Sequence, residues 1–406
     1  MAFDVRTITE PEVGEFQHQL ESAFGGDPDR DEMATWRPLV ETDRTIGAYD
    51  DGQMVGTAAV FTFEMTVPGG PAPCAGVTGV SVRPTHRRQG ALTALMRYQL
   101  ESVVERGTEA FASLWASEAS IYGRFGYGVA SRRWGVTVAA HDPALLGRPP
   151  EGRVRLVDDG AMAKLAPPVY DAFRADRPGM ISRSPERWQV RLSDLANHRY
   201  GASMQKLAVY ERDGEPRGYA WFRTKGDWTD SRPNGVVRVK EVVALDPDAH
   251  GALWRFLAGV DLMTSVSSDN LPADDPVFHR LLDPRAIKVT VSDGLYVRIL
   301  DVPRALVGRT YDRSASVVFE VVDAFGGWAA GRYALDATPE GAACEETSAA
   351  PDLTLSAAGL GAVYLGDTPL RTLYGAGRVD EHTPGAVERA SRLFAWPRAA
   401  WCPEIF

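Results

Sequence analysis

The segment Gly79-Val80-Ser81-Val82-Arg83-Pro84-Thr85-His86-Arg87-Arg88-Gln89-Gly90-Ala91-Leu92 constrains this chain more than any other. Val80 and Val82 alternate as in a strand, Pro84 ends the ladder because it has no amide hydrogen, and Gly90 lets backbone approach a ligand with no Cβ between them. Leu92, Leu95, Met96, Leu100 and Val103 then recur at helical spacing. A strand that runs through an arginine-rich turn into a helix gathers free amides, the positive end of a helix dipole and guanidinium groups at one point, which makes an anion seat. A basic surface turn before an amphipathic helix has the same signature, so the assignment needs a second motif.

That motif is Ser117-Glu118-Ala119-Ser120-Ile121-Tyr122-Gly123-Arg124-Phe125-Gly126-Tyr127-Gly128, just beyond the apolar run from Ala110 to Trp115. Ser117 is expected to cap a short helix that contains Tyr122 and ends at Gly126. Together the two segments resemble the acyl-CoA site of the GNAT acetyltransferase superfamily. In that site an Arg/Gln-x-x-Gly-x-Gly/Ala loop binds the CoA pyrophosphate, and a tyrosine on a later short helix lies near the thioester sulfur. Here Leu92 stands at the last position of the loop pattern.

The length of 406 residues suggests two to three domains, and 44% hydrophobic with 24% charged residues gives ample core material. A net charge of −10 argues against a nucleic-acid partner, which needs a basic face. No run approaches the ~18 to 20 apolar residues that cross a bilayer. The first residues lack the basic and apolar regions of a secretory signal, so no membrane association or export is expected. Cys74, Cys344 and Cys402 are odd in number and far apart, which fits a reducing cytoplasm. The seven histidines show no His-x-x-x-His spacing, and no metal is expected.

The chain opens with Val13, Phe16, Leu20 and Phe24 on one helical face, then a hairpin: Ile46–Tyr49, a turn at Asp50 to Gly52, and Gly56–Phe61. The first domain is expected to close near His141-Asp142-Pro143, where Pro143, Gly147, Pro149, Pro150 and Gly152 mark a linker. A degenerate copy follows. Leu207–Tyr210, a turn at Gly214 and Gly218–Phe222 repeat the hairpin, and Val242-Val243-Ala244-Leu245-Asp246-Pro247 leads through His250 into an apolar helix. The arginines are missing between Pro247 and Gly251, so this copy is expected to be structural. Beyond Pro303, strands at 317–322, 331–335 and 352–356 precede helices at 360–364 and from Pro384 to Phe394. These resemble a sterol carrier protein fold. The expected fold class is therefore α/β with mixed sheets: tandem GNAT-like domains over residues 1–145 and 146–300, then a sterol-carrier-like α+β domain over 301–406.

The segments Pro84–Gly90, Ala116-Ser117-Glu118 and Ile121–Gly128 are similar to those of the Eis (enhanced intracellular survival) acetyltransferases of actinobacteria. So are Ala249–Arg255, Asp293–Arg298 and the terminal phenylalanine. The resemblance spans the whole chain. It implies a cytoplasmic homohexamer that moves acetyl groups from acetyl-CoA to amines, notably those of aminoglycosides. It further implies that the backbone of Val80 and Val82 holds the pantetheine arm, that Arg87, Arg88, Gly90 and Ala91 hold the phosphates, and that Ser117 lies near the acyl group. Tyr122 would be the general acid and the Phe406 carboxylate the general base, with the C-terminal tail docked into the active site. Phe24 and Trp36 would wall the acceptor cleft beside Trp115, with Asp27, Glu118 and Glu404 as carboxylates for a cationic acceptor.

A tyrosine of reference pKa ~10 stays protonated at neutral pH and can protonate a departing thiolate, although tyrosines in such segments also simply fill cores; Tyr127 is the rival for that packing role. A free α-carboxyl of pKa ~3.5 is a weak base toward an ammonium group, and burial would raise it. The apolar end Trp401, Pro403, Ile405 and Phe406 suits a docked tail, for chemistry or for packing alone. Two further activities fit the same residues: acetylation of protein lysines or polyamines, and a lipid-binding or scaffold role for the last domain beside a decayed site.

Overall fold

The computed structural model describes residues 3–140 and 151–406. The expected close at His141-Asp142-Pro143 and most of the linker after it lie outside the described residues. The chain divides into one unit made of residues 1–131 and 294–406 and a second made of 132–293.

The first unit is built on a seven-stranded sheet. Its N-terminal elements are β1 (Asp4–Thr7), α1 (Val13–Ala23), α2 (Arg30–Trp36), β2 (Thr45–Asp50), β3 (Gln53–Val67), β4 (Gly70–Val82), α3 (Ala91–Arg106), β5 (Phe111–Trp115) and β6 (Gly128–Val129). The order across the sheet is β1, β2, β3, β4, β5, then Leu295–Ile299, then β6. Asp51 and Gly52, both at positive φ, make the two-residue turn between β2 and β3. The two-residue period of β3 serves both faces of the sheet. Ala59 packs with Val13 and Phe16 of α1, whereas Ala58 packs with Leu95 and Val60 with Met96 of α3. The α1 stripe holds at Val13 and Phe16 but not at Phe24, which is the residue after the last helical turn and is 57% exposed.

Two strands cross the boundaries expected from the sequence. Arg132–Ala139 belongs to the second sheet, and Leu295–Ile299 enters the first, pairing antiparallel with β5 and β6. The two halves therefore exchange strands, which local patterning does not reveal.

The second unit has a seven-stranded sheet in the order 287–293, 132–139, 263–271, 235–244, 215–225, 206–212, 153–157. Its hairpin turns at Asp213 and Gly214, again both at positive φ. A bulge at Lys240, between Glu241 opposite Trp221 and Val239 opposite Phe222, repeats the kink described below in β4. Behind this sheet Glu241 is fully buried with Arg183, Arg191 and Tyr219.

The last hundred residues form a five-stranded sheet in the order 341–346, 331–338, 315–322, 353–356, 379–381, with helices Val302–Val307, Ala357–Val363, Leu370–Gly375 and Ala386–Phe394. The strands Gly341–Glu346 and Val379–Glu381 and the helix Leu370–Gly375 carry no strong local pattern and were not expected. Helix Ala357–Val363, rich in alanine and glycine, meets the first sheet at backbone contact: a Cβ on Gly361 would lie 2.1 Å from Val297 O, and one on Gly128 1.8 Å from Ala358 O. Only glycines permit that approach.

Candidate active site

Strand β4 is bent where the site forms. Opposite Thr57–Ala59 of β3 stand Thr78 to Ser81 of β4, so β4 carries one extra residue, and neither Gly79 nor Val80 has a partner in that register. Gly79 adopts φ +59, and Thr57 fixes the bulge by donating to Gly79 O at 2.7 Å beside Ser81 Oγ at 2.7 Å. On the other side β4 pairs with β5 only over Ala75–Val77, while β4 runs on to Val82. The two parallel strands thus separate beyond Val77, leaving Val80 and Val82 at the edge of a gap.

The loop after β4 turns through Pro84–His86, an extended Arg87, Arg88 at φ +62 and Gly90 at φ +98. No side chain caps the N-terminus of α3, which begins at Ala91. A Cβ on Gly90 would meet nothing within 4 Å, so the left-handed backbone rather than crowding calls for glycine there. The two arginines differ. Arg87 is tied down, its Nε donating to Val82 O at 3.2 Å and its Nη2 to Ala23 O at 3.3 Å. Arg88 is exposed and its guanidinium has no partner among the described residues. Uncapped amides, a left-handed turn and an uncommitted guanidinium suit an anion with several oxygens.

Tyr122 shares a buried cluster with Val77 and Leu114, the last β4–β5 pair, and Val80 packs against that cluster. Tyr122 opens a single 3-10 turn, Tyr122–Phe125, that Gly126 ends at φ +82. Ser117 is not its cap: Ser117 and Glu118 are exposed residues of the preceding bend, and Ile121 occupies the capping position. The Tyr122 side chain is 7% exposed and its hydroxyl has no hydrogen-bond partner among the described residues. Burial, reinforced by the Glu118 charge, pushes its pKa up to about 12. Tyr127 packs edge-on against it, ring centroids 6.0 Å apart, and is buried to 1% exposure. Burial drives the Tyr127 hydroxyl still further from ionisation.

The C-terminal tail returns to the first sheet. Trp401, Cys402 and Glu404 are buried, and the Phe406 ring meets Phe63 of β3 edge-on at 4.9 Å. Gly76 makes room for Phe63, since a Cβ there would lie 2.3 Å from that ring. Beside the tail is a cavity of ≈ 260 Å³. Its aromatic walls are Phe16, Trp36, Phe61 and Phe406, and it reaches Thr78 and Gly79 at the bulge. Glu21, Glu32 and Glu41 also face it. Both Glu41 oxygens are pinned by Thr62, through its amide at 2.7 Å and its hydroxyl at 2.6 Å. Aromatic faces and carboxylates around one space suit an organic cation.

Of the residues expected at the acceptor cleft, Trp36 lines this cavity, and so does Phe406, which was expected as the general base. Phe24 and Asp27 are exposed beyond the end of α1, Trp115 is half-buried at the end of β5, and none of the three lines it. Glu404 is buried rather than open to the cavity. Glu21, Glu32 and Glu41 were not singled out in the sequence. Glu21 adjoins Leu20 of the α1 stripe, which is a local signal, but Glu32 and Glu41 belong to no motif.

The corresponding place in the second unit is closed to an anion. There Asp246 caps helix Pro247–Ala258 through its bond from Ala249 N at 2.8 Å, and Arg212 and Arg217 neutralise that carboxylate. The helix terminus already holds the chain's own anion.

Family models for an acetyltransferase (GNAT) domain match residues 4–130 and 179–299, and one for a sterol carrier protein domain matches residues 302–403. An uncharacterized N-acetyltransferase of Streptomyces avermitilis is 42% identical over 411 residues, covering 100% of both chains. The N-acetyltransferase Eis of Mycobacterium tuberculosis is 35% identical over 379 residues, 90% of each chain. The crystal structure of Eis1 from Mycobacterium abscessus superposes with a TM-score of 0.86 at 31% identity, covering 100% of both chains.

Proposed function

The chain belongs to the Eis family of GNAT N-acetyltransferases, and from that premise we propose that it transfers acetyl groups from acetyl-CoA to amines of polycationic small molecules, aminoglycosides among them. The observation that carries this reading is the contrast between the two helix termini. That of α3 is uncapped and flanked by Arg88, whereas its counterpart in the second unit is filled by Asp246. Acetyl-CoA fits the first: Arg88, Gly90, Ala91 and the amides that follow would hold its phosphates, and the unpaired Val80 backbone beside Val82 would hold its arm. Arg87 would fix the loop rather than bind, because its donors already serve main-chain carbonyls. When bound, the thioester supplies the acetyl group.

The acceptor amine would occupy the aromatic cavity with its charge against Glu21, Glu32 and Glu41. The Phe406 carboxylate would take the proton that the ammonium must lose before it can attack. Tyr122 would act on the departing sulfur. With a pKa of about 12 against ~8.5 for a thiol, complete proton transfer is uphill by roughly 5 kcal/mol. The hydroxyl therefore serves as a hydrogen-bond donor to the developing thiolate, and transfer of its proton is completed only as the proton shed by the new amide nitrogen replaces it. Assembly as a cytoplasmic homohexamer belongs to the same reading and rests on the family resemblance.

The test is incubation of the enzyme with acetyl-CoA and a panel of aminoglycosides, polyamines and lysine peptides, followed by mass spectrometry. Mass gains of about 42 Da, an acetyl group in place of one hydrogen, are expected on the multi-amine small molecules. Transfer confined to peptides would favour protein acetylation, and no transfer to any amine would remove the reading.

A further inference from the structure

A 3-10 turn of four residues has little stability of its own, because few hydrogen bonds offset the fixed backbone. Something else must hold Tyr122 in place, and the residues under its turn come from nearly two hundred positions further along the chain. Arg298, on strand Leu295–Ile299, is fully buried directly beneath Gly126: a Cβ on that glycine would lie 2.7 Å from the guanidinium carbon. Arg298 Nη2 donates to Asp323 Oδ2 at 2.6 Å and to Phe325 O at 2.9 Å. The Asp323 carboxylate also accepts from Phe325 N at 3.2 Å and Ala329 N at 3.1 Å, so one buried carboxylate shapes the loop from 323 to 329 and fastens it to Arg298. The loop sets Phe325 edge-on against Phe125, the last residue of the Tyr122 turn, with centroids 4.9 Å apart. Arg97 of α3 closes the other side, its guanidinium 5.0 Å from the Phe325 centroid. Phe325, Phe125, Tyr122 and Tyr127 share one buried cluster.

We propose that the 323–329 loop of the sterol-carrier-like domain is a positioning element of the acetyltransferase site, in which Asp323, Phe325 and Arg298 fix the turn that carries Tyr122. The proposal rests on the reading of Tyr122 as proton donor. It gives the last domain a part in the transfer reaction through packing, with no lipid required. Phe325 and Arg298 touch neither substrate. They act through the orientation of one hydroxyl, where small displacements are expensive in rate.

The test is a double-mutant cycle on the full chain with Phe325→Leu, Phe325→Ala and Tyr122→Phe. Phe325→Leu is expected to lower kcat about tenfold and Phe325→Ala further, with KM for acetyl-CoA changed less than twofold. In the Tyr122→Phe background neither change should lower kcat again. Phe325→Tyr, which keeps the ring, should retain most of the rate. Hydrogen exchange read by mass spectrometry should quicken in peptides spanning 121–127 of Phe325→Leu and stay unchanged along α3. Full additivity in the cycle, or wild-type kcat in folded Phe325→Leu, overturns the proposal. If Tyr122→Phe alone leaves kcat intact, the donor reading falls, and exchange at 121–127 still decides the clamp: faster exchange upholds it and unchanged exchange overturns it. Should Phe325→Ala not fold, Phe325→Leu and Asp323→Asn carry the same test.

Discussion

Replacing Arg88 by alanine separates the proposed anion seat from the architecture of its loop. Arg88 is exposed, sits at φ +62 and has no partner among the described residues, so its removal breaks no internal contact. It also relieves no strain, since alanine at that φ is equally unfavoured. Stability should therefore stay within about 0.5 kcal/mol of wild type, the range for a surface change with no partners. A charge-assisted bond to phosphate contributes about 1.5 to 3 kcal/mol, and exposure of this side chain favours the lower figure. The dissociation constant for acetyl-CoA should then rise about tenfold, with kcat at saturation and KM for the amine little changed. Arg88→Lys keeps the charge but loses the fork and should fall between the two. Arg87→Ala is the control, because its guanidinium ties Val82 O to Ala23 O. It should lower folding stability, and with it the melting temperature, by about 1 kcal/mol for two exposed bonds, and weaken acetyl-CoA binding as well. Titration calorimetry at two salt concentrations and thermal melts make the comparison. Unchanged acetyl-CoA affinity in Arg88→Ala would refute the assignment of the seat, and a large loss of stability there would refute the reading of Arg88 as uncommitted.

The proposed role of Tyr122 needs its protonated form, and burial raises its pKa from 10.0 to about 12. The protonated species thus survives through the interval from 10 to 12, and the stability that goes with it is full below 10 and lost progressively as pH rises from 10 through 12. A kcat profile should show no alkaline fall centred near 10; such a fall, absent in Tyr122→Phe, would contradict the burial argument. In the second unit Glu241 is subject to a burial penalty that would raise its pKa, yet Arg183 and Arg191 win and hold it at about 2, against 4.5 for a free carboxyl. Its stabilising effect is present above 4.5 and lost as pH falls toward 2. Glu241→Gln, which leaves the buried Arg183 and the partly buried Arg191 without this anion, should cost about 3 to 5 kcal/mol at neutral pH and flatten the acid limb of a denaturation profile. Equal melts of the variant and wild type would show the cluster to be energetically idle.

The parts of the site legible in the sequence are those that one short segment builds alone. Gly90 and Gly126 announce left-handed backbone, and both adopt it. The two hairpins share a turn pattern that depends only on adjacent residues, and both form. Phe24 shows where such reading stops. Its helical spacing is correct, but the helix ends one residue earlier, and periodicity carries no information about where packing runs out. Ser117 fails as a cap for a similar reason, because the chain bends before the turn begins.

Short local segments were enough to indicate the strand, loop and helix of the proposed anion seat, the tyrosine turn, the duplicated unit and the missing arginines at the matching place in the second copy. Each depends on bonds between near neighbours, whose geometry is set by backbone sterics and by the presence or absence of a side-chain cap. Long-range packing alone set the exchange of strands 132–139 and 295–299, the cavity walled by Phe16, Trp36, Phe61 and Phe406, and the contact of Phe325 with Phe125. Those features join residues tens to hundreds of positions apart. Burial selects such partners by shape and area, which leave no periodic trace in either segment.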